Sequence, residues 1–273
     1  MNRIGILITA YKQWSQTKDR LHELQQMPFL KDAVYCVVTN SPTPDDFNCI
    51  LPLVNVLVKY PNCPGSENSN FISKSNLPDL REGQANKSHL VKMDWRNRYV
   101  AAAILYSMEY GLKNLELHGC KYVLQIHSDT TWKSEDQLKK DIAVLEEHNG
   151  ILVADLCAPF EDNAKLPYGM QFGGEGIVFN LSRCKELGYW NFKKIFETPN
   201  SHNQYLDENQ FHCYDWLGVE PILGCWAHWL LYKENIIDRR KFVPYEYRQQ
   251  MICRYERDIH GDFPHMYSPK GLQ

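Results

Sequence analysis

A hydroxyl and a carboxylate follow the apolar segment at the centre of the chain. Residues 121–132 read KYVLQIHSDTTW, so a largely apolar run leads into His127, Ser128 and Asp129. A carboxylate here suits Mg²⁺ or Mn²⁺, because one or two carboxylates commonly hold these ions while phosphates and waters complete the octahedron. A metal so held neutralises a pyrophosphate leaving group as a Lewis acid. The alternative, equally open from the sequence, is that Asp129 only caps a turn before the next helix.

Polar residues also follow two earlier apolar runs. Thr9, Ala10 and Tyr11 end the first run, and Asn40 follows the second. In open α/β sheets a ligand binds beyond the carboxyl ends of the strands, where loops supply polar groups. We therefore expect a ligand crevice at these positions. The chain has no GxGxxG and no Walker A sequence, which argues against dinucleotide enzymes and P-loop ATPases.

Short apolar runs that alternate with helical patterns must position these residues. Buried strands are expected at residues 4–10, 33–39, 54–59, 121–127, 151–156 and 176–180. Helices are expected from Ser15 to before Pro28, over 90–117, after a capping box formed by Ser134 and Gln137, and over 207–217. This alternation predicts an α/β fold with a mostly parallel sheet and helices on both faces.

Composition and charge exclude several classes of function. The net charge is −3 and the sequence pI is about 6.4, so the chain lacks the excess of positive charge that is typical of proteins that bind nucleic acid. No apolar run approaches the roughly 20 residues of a transmembrane helix, and we expect no secretion signal. The nine cysteines are scattered without a CxxC pair, which favours a reducing compartment. We therefore expect a soluble, cytoplasmic protein.

The order of these motifs resembles that of the GT-A glycosyltransferases, particularly the family 2 type. ILITAYKQWSQTKDRLHEL is similar to the opening strand and helix of that family, and Arg96-Asn97 resembles its Arg-Asn pair ahead of the metal motif. The sequence HSD at 127–129 occupies the place of the family's DxD motif, and Asp207-Glu208 resembles its acidic pair near the acceptor. The resemblance covers roughly residues 1 to 230.

The resemblance implies a GT-A domain over residues 1–230, with a C-terminal tail, 231–273, that packs on the domain and can act as a lid. It implies contacts to a UDP- or GDP-type sugar donor from Thr9, Ala10, Tyr11, Asn40, Arg96, Asn97 and Ser128. It implies a Mn²⁺ or Mg²⁺ site formed by Asp129, His127 and, from the tail, His265, with His260 as the alternative.

Two departures from the family pattern bear on this site. His127 replaces the first Asp of DxD, and imidazole suits Mn²⁺ better than Mg²⁺. Either the metal preference shifts, or His127 is a hydrogen-bonded structural residue and not a ligand. Asn40 replaces the family's Asp after the second strand, which removes a charge and keeps the capacity to hydrogen bond to a base.

The second half of the chain holds the predicted catalytic and acceptor-binding residues. In an inverting transferase a carboxylate accepts the proton of the acceptor hydroxyl, and Asp207 or Glu208 is a candidate, with Glu208 slightly favoured. The pair is equally suited to opening a helix, with Asp207 as N-cap. The glycine-rich segment before the last strand permits close approach of an acceptor sugar, or forms a plain bulge. Its residues of interest are Gly173, Gly174 and Glu175.

The sequence therefore favours a hexosyl- or pentosyltransferase that moves a sugar from a nucleoside-diphosphate donor to a carbohydrate or glycoconjugate hydroxyl. A sugar-phosphate nucleotidyltransferase is the alternative enzyme, although such enzymes usually carry a glycine-rich basic loop where this chain has TAYKQWSQ. The missing first Asp of DxD keeps a third hypothesis open, a non-catalytic binding protein on a degenerate transferase fold.

Overall fold

The computed structural model describes residues 3–10, 13–39, 47–59, 95–132, 134–155, 176–187 and 251–254. The expected helix over 207–217 lies outside these residues. The division of the chain at residue 230 stays a prediction.

Within the described residues, seven strands form one sheet. They are β1 (Ile4–Ala10), β2 (Val34–Thr39), β3 (Val56–Lys59), β4 (Tyr122–His127), β5 (Leu152–Asp155), β6 (Ile177–Asn180) and β7 (Met251–Arg254). Their order across the sheet is β3-β2-β1-β4-β6-β5-β7. Every residue of β1 and β2 is buried, as the continuous apolar runs predict for strands covered on both faces.

The pairing is parallel except around β6. β1 pairs with β2 and β4, β2 pairs with β3, and β5 pairs with β7, all in parallel. β6 runs antiparallel to both of its neighbours, β4 and β5. The carboxyl ends of β1 to β4 therefore meet at one edge of the sheet, which we call the carboxyl edge.

Four α-helices accompany the sheet within the described residues. They are α1 (Trp14–Gln25), α2 (Trp95–Leu117), α3 (Glu135–Glu147) and α4 (Leu181–Glu186). Ser134 caps α3 as predicted, because its hydroxyl accepts from the backbone N–H of Gln137 at 3.2 Å. Ser15 does not cap α1, because the helix already begins at Trp14 and Gln13 holds the N-cap position.

Helices α1 and α3 cover one face of the sheet. The side chains of Ile6, Ile8 and Ile126 lie in one core cluster with apolar residues of α1 and α3. Leu21 and Leu24 come from α1, and Leu138 and Leu145 from α3. These positions follow the helical periodicity of the sequence. Burial of this apolar stripe is the main stabilisation of both helices on the sheet.

Helix α2 covers the other face. A Cβ on Gly5 would lie 3.1 Å from the side chain of Leu115, and a Cβ on Gly111 would overlap Leu7. Because Leu7 and Val38 lie on the opposite side of their strands from the cluster around Ile6 and Ile8, α2 is separated from α1 and α3 by the sheet. The predicted fold class, an α/β fold with helices on both faces of a mostly parallel sheet, is confirmed.

The structure also contains elements that the sequence did not predict. The short helix α4 is capped by Asn180, whose side-chain oxygen accepts from the backbone N–H of Arg183 at 3.1 Å. Strand β7 lies in the predicted tail and forms the edge of the sheet beside β5. None of the helices in the described residues has the length and apolarity needed to cross a bilayer.

We expect Gly111→Ala to lower the free energy of unfolding although alanine favours helix. The added methyl group would overlap Leu7 Cδ1 and lie 3.0 Å from Val38 Cγ2, and both side chains are buried. Overpacking of a core costs about 1–3 kcal/mol, while replacing glycine by alanine within a helix stabilises it by at most about 1 kcal/mol. Urea unfolding of the single variants and of Leu7→Ala/Gly111→Ala measures this. The double variant should lose less free energy of unfolding than the two single variants lose together. Additive losses would contradict the proposed contact.

Candidate functional site

Six of the seven described strands end at the carboxyl edge, and β6 begins there. Ala10, Thr39, Lys59 and His127 end β1 to β4, and Asp155 and Arg254 end β5 and β7. Because β6 is antiparallel, its start also lies at this edge. Gly176, just before β6, has a φ of 66°, a conformation that side chains with a Cβ rarely adopt. The crevice expected from the sequence therefore lies at this edge.

A tight turn follows β4. The backbone N–H of Thr130 donates to the carbonyl oxygen of His127 at 3.1 Å, and the N–H of His127 donates to the Thr130 hydroxyl at 3.2 Å. Ser128 and Thr130 are 1% and 0% exposed, whereas Asp129 between them is exposed. The turn thus directs two neutral hydroxyls inward and one carboxylate outward.

Ser128 connects this turn to the beginning of α1. Its hydroxyl donates to the side-chain oxygen of Gln13, the N-cap residue of α1. Trp132, a few residues further on, is buried in the core cluster beneath α1 and α3. The backbone on both sides of Asp129 is therefore held by buried contacts, and this limits where the carboxylate can lie.

His127 is tied to the first strand. Thr9 and His127 are direct partners in the register of β1 and β4, and the Thr9 hydroxyl is hydrogen-bonded to Nδ1 of His127 at 2.6 Å. Thr9 is buried and His127 is half-buried. The bond joins two residues 118 positions apart in the sequence. It restricts the rotation of the imidazole ring at the carboxyl edge.

In the structure, residues other than Asp129 close the turn after β4 and cap the helix that follows it. The turn after β4 is closed by Thr130, and the helix after it is capped by Ser134. Asp129 has an exposed carboxylate at the edge of the sheet between these two capped elements. The ligand role of Asp129 stays a prediction.

The first turn of α2 lies beyond the carboxyl edge. The helix runs from there towards the amino end of the sheet, since Gly111 packs beside Leu7 and Leu115 beside Gly5. The 16 residues from Gly111 back to Trp95 span about 24 Å of helix, while Leu7 is only about 10 Å from the end of β1. The backbone of Arg96 and Asn97 therefore extends past the strand ends, on the side of the expected crevice.

The described residues include part of the predicted site. Thr9, Ala10, His127, Ser128 and Asp129 meet at the carboxyl edge, because β1 and β4 are neighbours. The hydroxyls of Thr9 and Ser128 are both hydrogen-bonded within the protein. Their predicted contacts with a nucleotide stay predictions.

The other predicted site residues lie outside the described part of the chain. They are Tyr11, Asn40, Gly173, Gly174, Glu175, Asp207, Glu208 and His265.

Sequence reasoning missed two residues that shape the site. Gln13 accepts from Ser128, and Thr130 closes the turn. A threonine three residues after a strand end is a weak signal of such a turn, because its hydroxyl can bond to nearby backbone groups. The sequence contains no local signal for the contact of Gln13, which depends on how α1 is placed beside β4.

Three of the described cysteines are poor candidates for a catalytic nucleophile. Burial raises the pKa of the Cys36 thiol to about 12 and that of Cys120 to about 11. Burial also raises the pKa of Cys184 well above its ordinary value. Because the thiolate is the reactive form, these three side chains are poor nucleophiles near neutral pH.

The architecture places the chain among α/β proteins with a mostly parallel sheet. No family model matches the chain, and no curated protein matches it. Several solved structures are similar to it, and they include glycosyltransferases.

Mouse xyloside xylosyltransferase 1, in its apo form, is 12% identical over 98% of this chain and 99% of its own, with a TM-score of 0.47. The mannosyltransferase PcManGT from Pyrobaculum calidifontis, solved with GDP-Man and Mn²⁺, is 12% identical over 76% of this chain, with a TM-score of 0.43. This chain spans about half of that protein, 53% of its length. A cytidylyltransferase from Leptospira borgpetersenii is 12% identical over 77% of this chain and 73% of its own, with a TM-score of 0.38. TM-scores of this size mark a likeness in general architecture alone.

We expect Thr130→Val to destabilise the turn after β4 more than the same change at Thr131. Thr130 is fully buried, and Thr130→Val removes the hydroxyl that accepts from the N–H of His127; loss of a buried hydrogen bond of this kind costs about 1–3 kcal/mol. Thr131 is half-buried and accepts from Arg20, which retains its ion pair with Glu23. Thr131→Val should therefore change the free energy of unfolding by about 0.5 kcal/mol or less. Equal losses for the two variants in urea unfolding would contradict the role of Thr130.

Proposed function

We propose that the protein is a glycosyltransferase that moves a sugar from a nucleoside-diphosphate donor to a carbohydrate or glycoconjugate hydroxyl, with a divalent metal and with inversion. The observation that carries the proposal is the exposed carboxylate of Asp129 at the carboxyl edge. It lies where ligands bind in open α/β sheets. The neighbouring hydroxyls of the same turn are buried and hydrogen-bonded, so Asp129 is the anionic group that this turn presents to a ligand.

The residues at this edge fit a divalent ion of the kind that accompanies nucleotides. Asp129 and His127 lie two positions apart at the end of β4, which is compatible with a site that takes one or two ligands from the protein. Within the described residues, no group of three or more His, Cys, Asp and Glu side chains could hold an ion alone. In our proposal Mn²⁺ or Mg²⁺ would be coordinated largely by diphosphate oxygens and water. When bound, the ion would stabilise negative charge on the leaving diphosphate.

The roles of the remaining residues follow the sequence resemblance. In our proposal Ala10, at the end of β1, and Arg96 and Asn97, in the first turn of α2, contact the donor. In our proposal Arg96 contributes positive charge near the diphosphate. Tyr11 and Asn40 contact the nucleoside.

Catalysis requires a base for the acceptor hydroxyl. We assign this role to the pair Asp207 and Glu208, one of which would accept the proton as the oxygen attacks the anomeric carbon. The acceptor would lie against the segment of Gly173, Gly174 and Glu175. The tail with His265 would close over the donor and limit its hydrolysis. A cytoplasmic location remains an expectation from the cysteine content.

The proposal predicts that Asp129→Asn weakens the metal-dependent binding of a nucleoside diphosphate at least tenfold, or about 1.4 kcal/mol. The amide is nearly isosteric with the carboxylate but carries no charge. Titration calorimetry of UDP and of GDP, each with and without Mn²⁺, measures the effect. Asp32→Asn is the matched control, because Asp32 is also an exposed turn residue but precedes β2 at the opposite edge of the sheet.

Three results would argue against the proposal. The first is that the unaltered protein binds no nucleoside diphosphate in the presence of Mn²⁺. The second is that Asp129→Asn and Asp32→Asn behave alike. The third is the release of pyrophosphate from a nucleoside triphosphate and a sugar phosphate, which would favour the nucleotidyltransferase.

A further inference from the structure

We propose that Gln13 is a positioning residue for the metal site, because its hydrogen bond to Ser128 holds the turn that presents Asp129. This role rests on the proposed function, in which the carboxylate of Asp129 binds a divalent ion beside a nucleoside diphosphate. Gln13 itself would contact neither the ion nor the nucleotide. Ser128 would connect Gln13 to Asp129, a role different from the nucleotide contact that the sequence suggests.

Gln13 occupies the N-cap position of α1 but does not cap the helix with its side chain. Its side chain makes no hydrogen bond to the first turn of the helix. N-cap positions favour serine, threonine, aspartate and asparagine, whose short side chains accept from the first N–H groups of the helix. Helix capping therefore does not explain a glutamine here. Its longer side chain is hydrogen-bonded to the hydroxyl of Ser128, 115 positions further along the chain.

The backbone of Gln13 is held by a buried residue of α1. The carbonyl oxygen of Gln13 accepts from the backbone N–H of Thr17 at 2.9 Å and from the Thr17 hydroxyl at 2.8 Å. Thr17 is fully buried, so these two bonds tie Gln13 to the interior of the protein. The side chain of Gln13 therefore extends towards Ser128 from a backbone whose position is restricted.

Ser128 transmits this restraint to Asp129. Ser128 is buried, and a buried hydroxyl that loses its partner is costly, so the bond to Gln13 favours one placement of the Ser128 side chain. A planar peptide unit joins Ser128 to Asp129, so a displacement of Ser128 would also displace the backbone of Asp129. Removal of a group that orients a metal ligand typically lowers metal affinity by about 10- to 100-fold.

The first test measures the mobility of the turn without metal or nucleotide. In the unaltered protein, nitrogen-15 NMR relaxation should give the N–H of Asp129 an order parameter near that of rigid backbone, about 0.85. Gln13→Met keeps the length of the side chain and removes the amide, so we expect a lower order parameter at Asp129. A mobile Asp129 in the unaltered protein would overturn the inference, as would an order parameter that Gln13→Met leaves unchanged.

The second test separates the metal-dependent part of nucleotide binding from the rest. Titration calorimetry measures the affinity for UDP and for GDP, each with and without Mn²⁺. Gln13→Met should weaken binding about tenfold with Mn²⁺ and leave binding without Mn²⁺ unchanged. Unaltered binding with Mn²⁺ would overturn the inference. Equal losses with and without Mn²⁺ would also overturn it, because they would indicate that Gln13 contacts the nucleotide.

Double variants show whether the effect passes through Ser128 and Asp129. In Ser128→Ala the bond to Gln13 is already lost, and in Asp129→Asn the charged ligand is already lost. Adding Gln13→Met to either variant should therefore cause little further loss of affinity for UDP or GDP with Mn²⁺. Additive losses in both double variants would overturn the inference.

Gln25→Met is the matched control. Gln25 lies at the opposite end of α1, where its amide Nε2 donates to the carbonyl oxygen of Leu53 at 2.8 Å. Its substitution should change neither the order parameter of Asp129 nor the affinity with Mn²⁺, and thermal unfolding verifies that each variant is folded. Equal effects of Gln25→Met and Gln13→Met would overturn the inference. Failure of the unaltered protein to bind UDP and GDP with Mn²⁺ would instead overturn the proposed function, while the order parameters would still test the effect of Gln13 on the turn.

Discussion

The parallel pairing of β1 with β4 is the constraint on which the rest of the site depends. The two strands are more than a hundred residues apart in the chain, yet they are hydrogen-bonded neighbours at the centre of the sheet, in a register that sets Thr9 against His127. A shift by one residue would turn every side chain of a strand to the other face. The register is held because β1 is buried on both faces, by α1 and α3 on one and by α2 on the other. The packing of the helices thus fixes which polar groups meet at the carboxyl edge.

The turn after β4 also positions polar groups at the carboxyl edge. Ser128 and Thr130 point into the protein and Asp129 points out. Burial of an ionised carboxylate costs several kcal/mol even after the protein relaxes, whereas a buried hydroxyl with a partner costs little. The turn therefore uses its neutral hydroxyls for internal hydrogen bonds and leaves its charged group in contact with solvent. This explains how a carboxylate can have a defined position without being buried.

Local patterns predicted the elements well and the contacts between them poorly. The buried strands β1, β2 and β4 and the cap at Ser134 were predicted, because each is encoded in a few adjacent residues. Ser15 was predicted as a cap but lies inside α1, since the helix begins at Trp14 and Gln13 is its N-cap residue. The antiparallel direction of β6 and the pairing of β7 were not predicted, because a four-residue strand carries no information about its direction or its neighbour. The bond between Thr9 and His127 depends on strand order and register, and neither is written in the local sequence.

The charge at the carboxyl edge affects how the metal ion and the nucleotide depend on each other for binding in the proposed function. A DxD motif presents two carboxylates, whereas the turn here presents one carboxylate and one imidazole. With only one anionic ligand from the turn, much of the attraction for a divalent ion must come from the diphosphate itself. The ion and the nucleotide then increase each other's affinity by the same factor, because coupling between two ligands is reciprocal. In the proposed function the protein would hold little metal without nucleotide, and His127 as a ligand would influence which ion binds more strongly than how much of it binds.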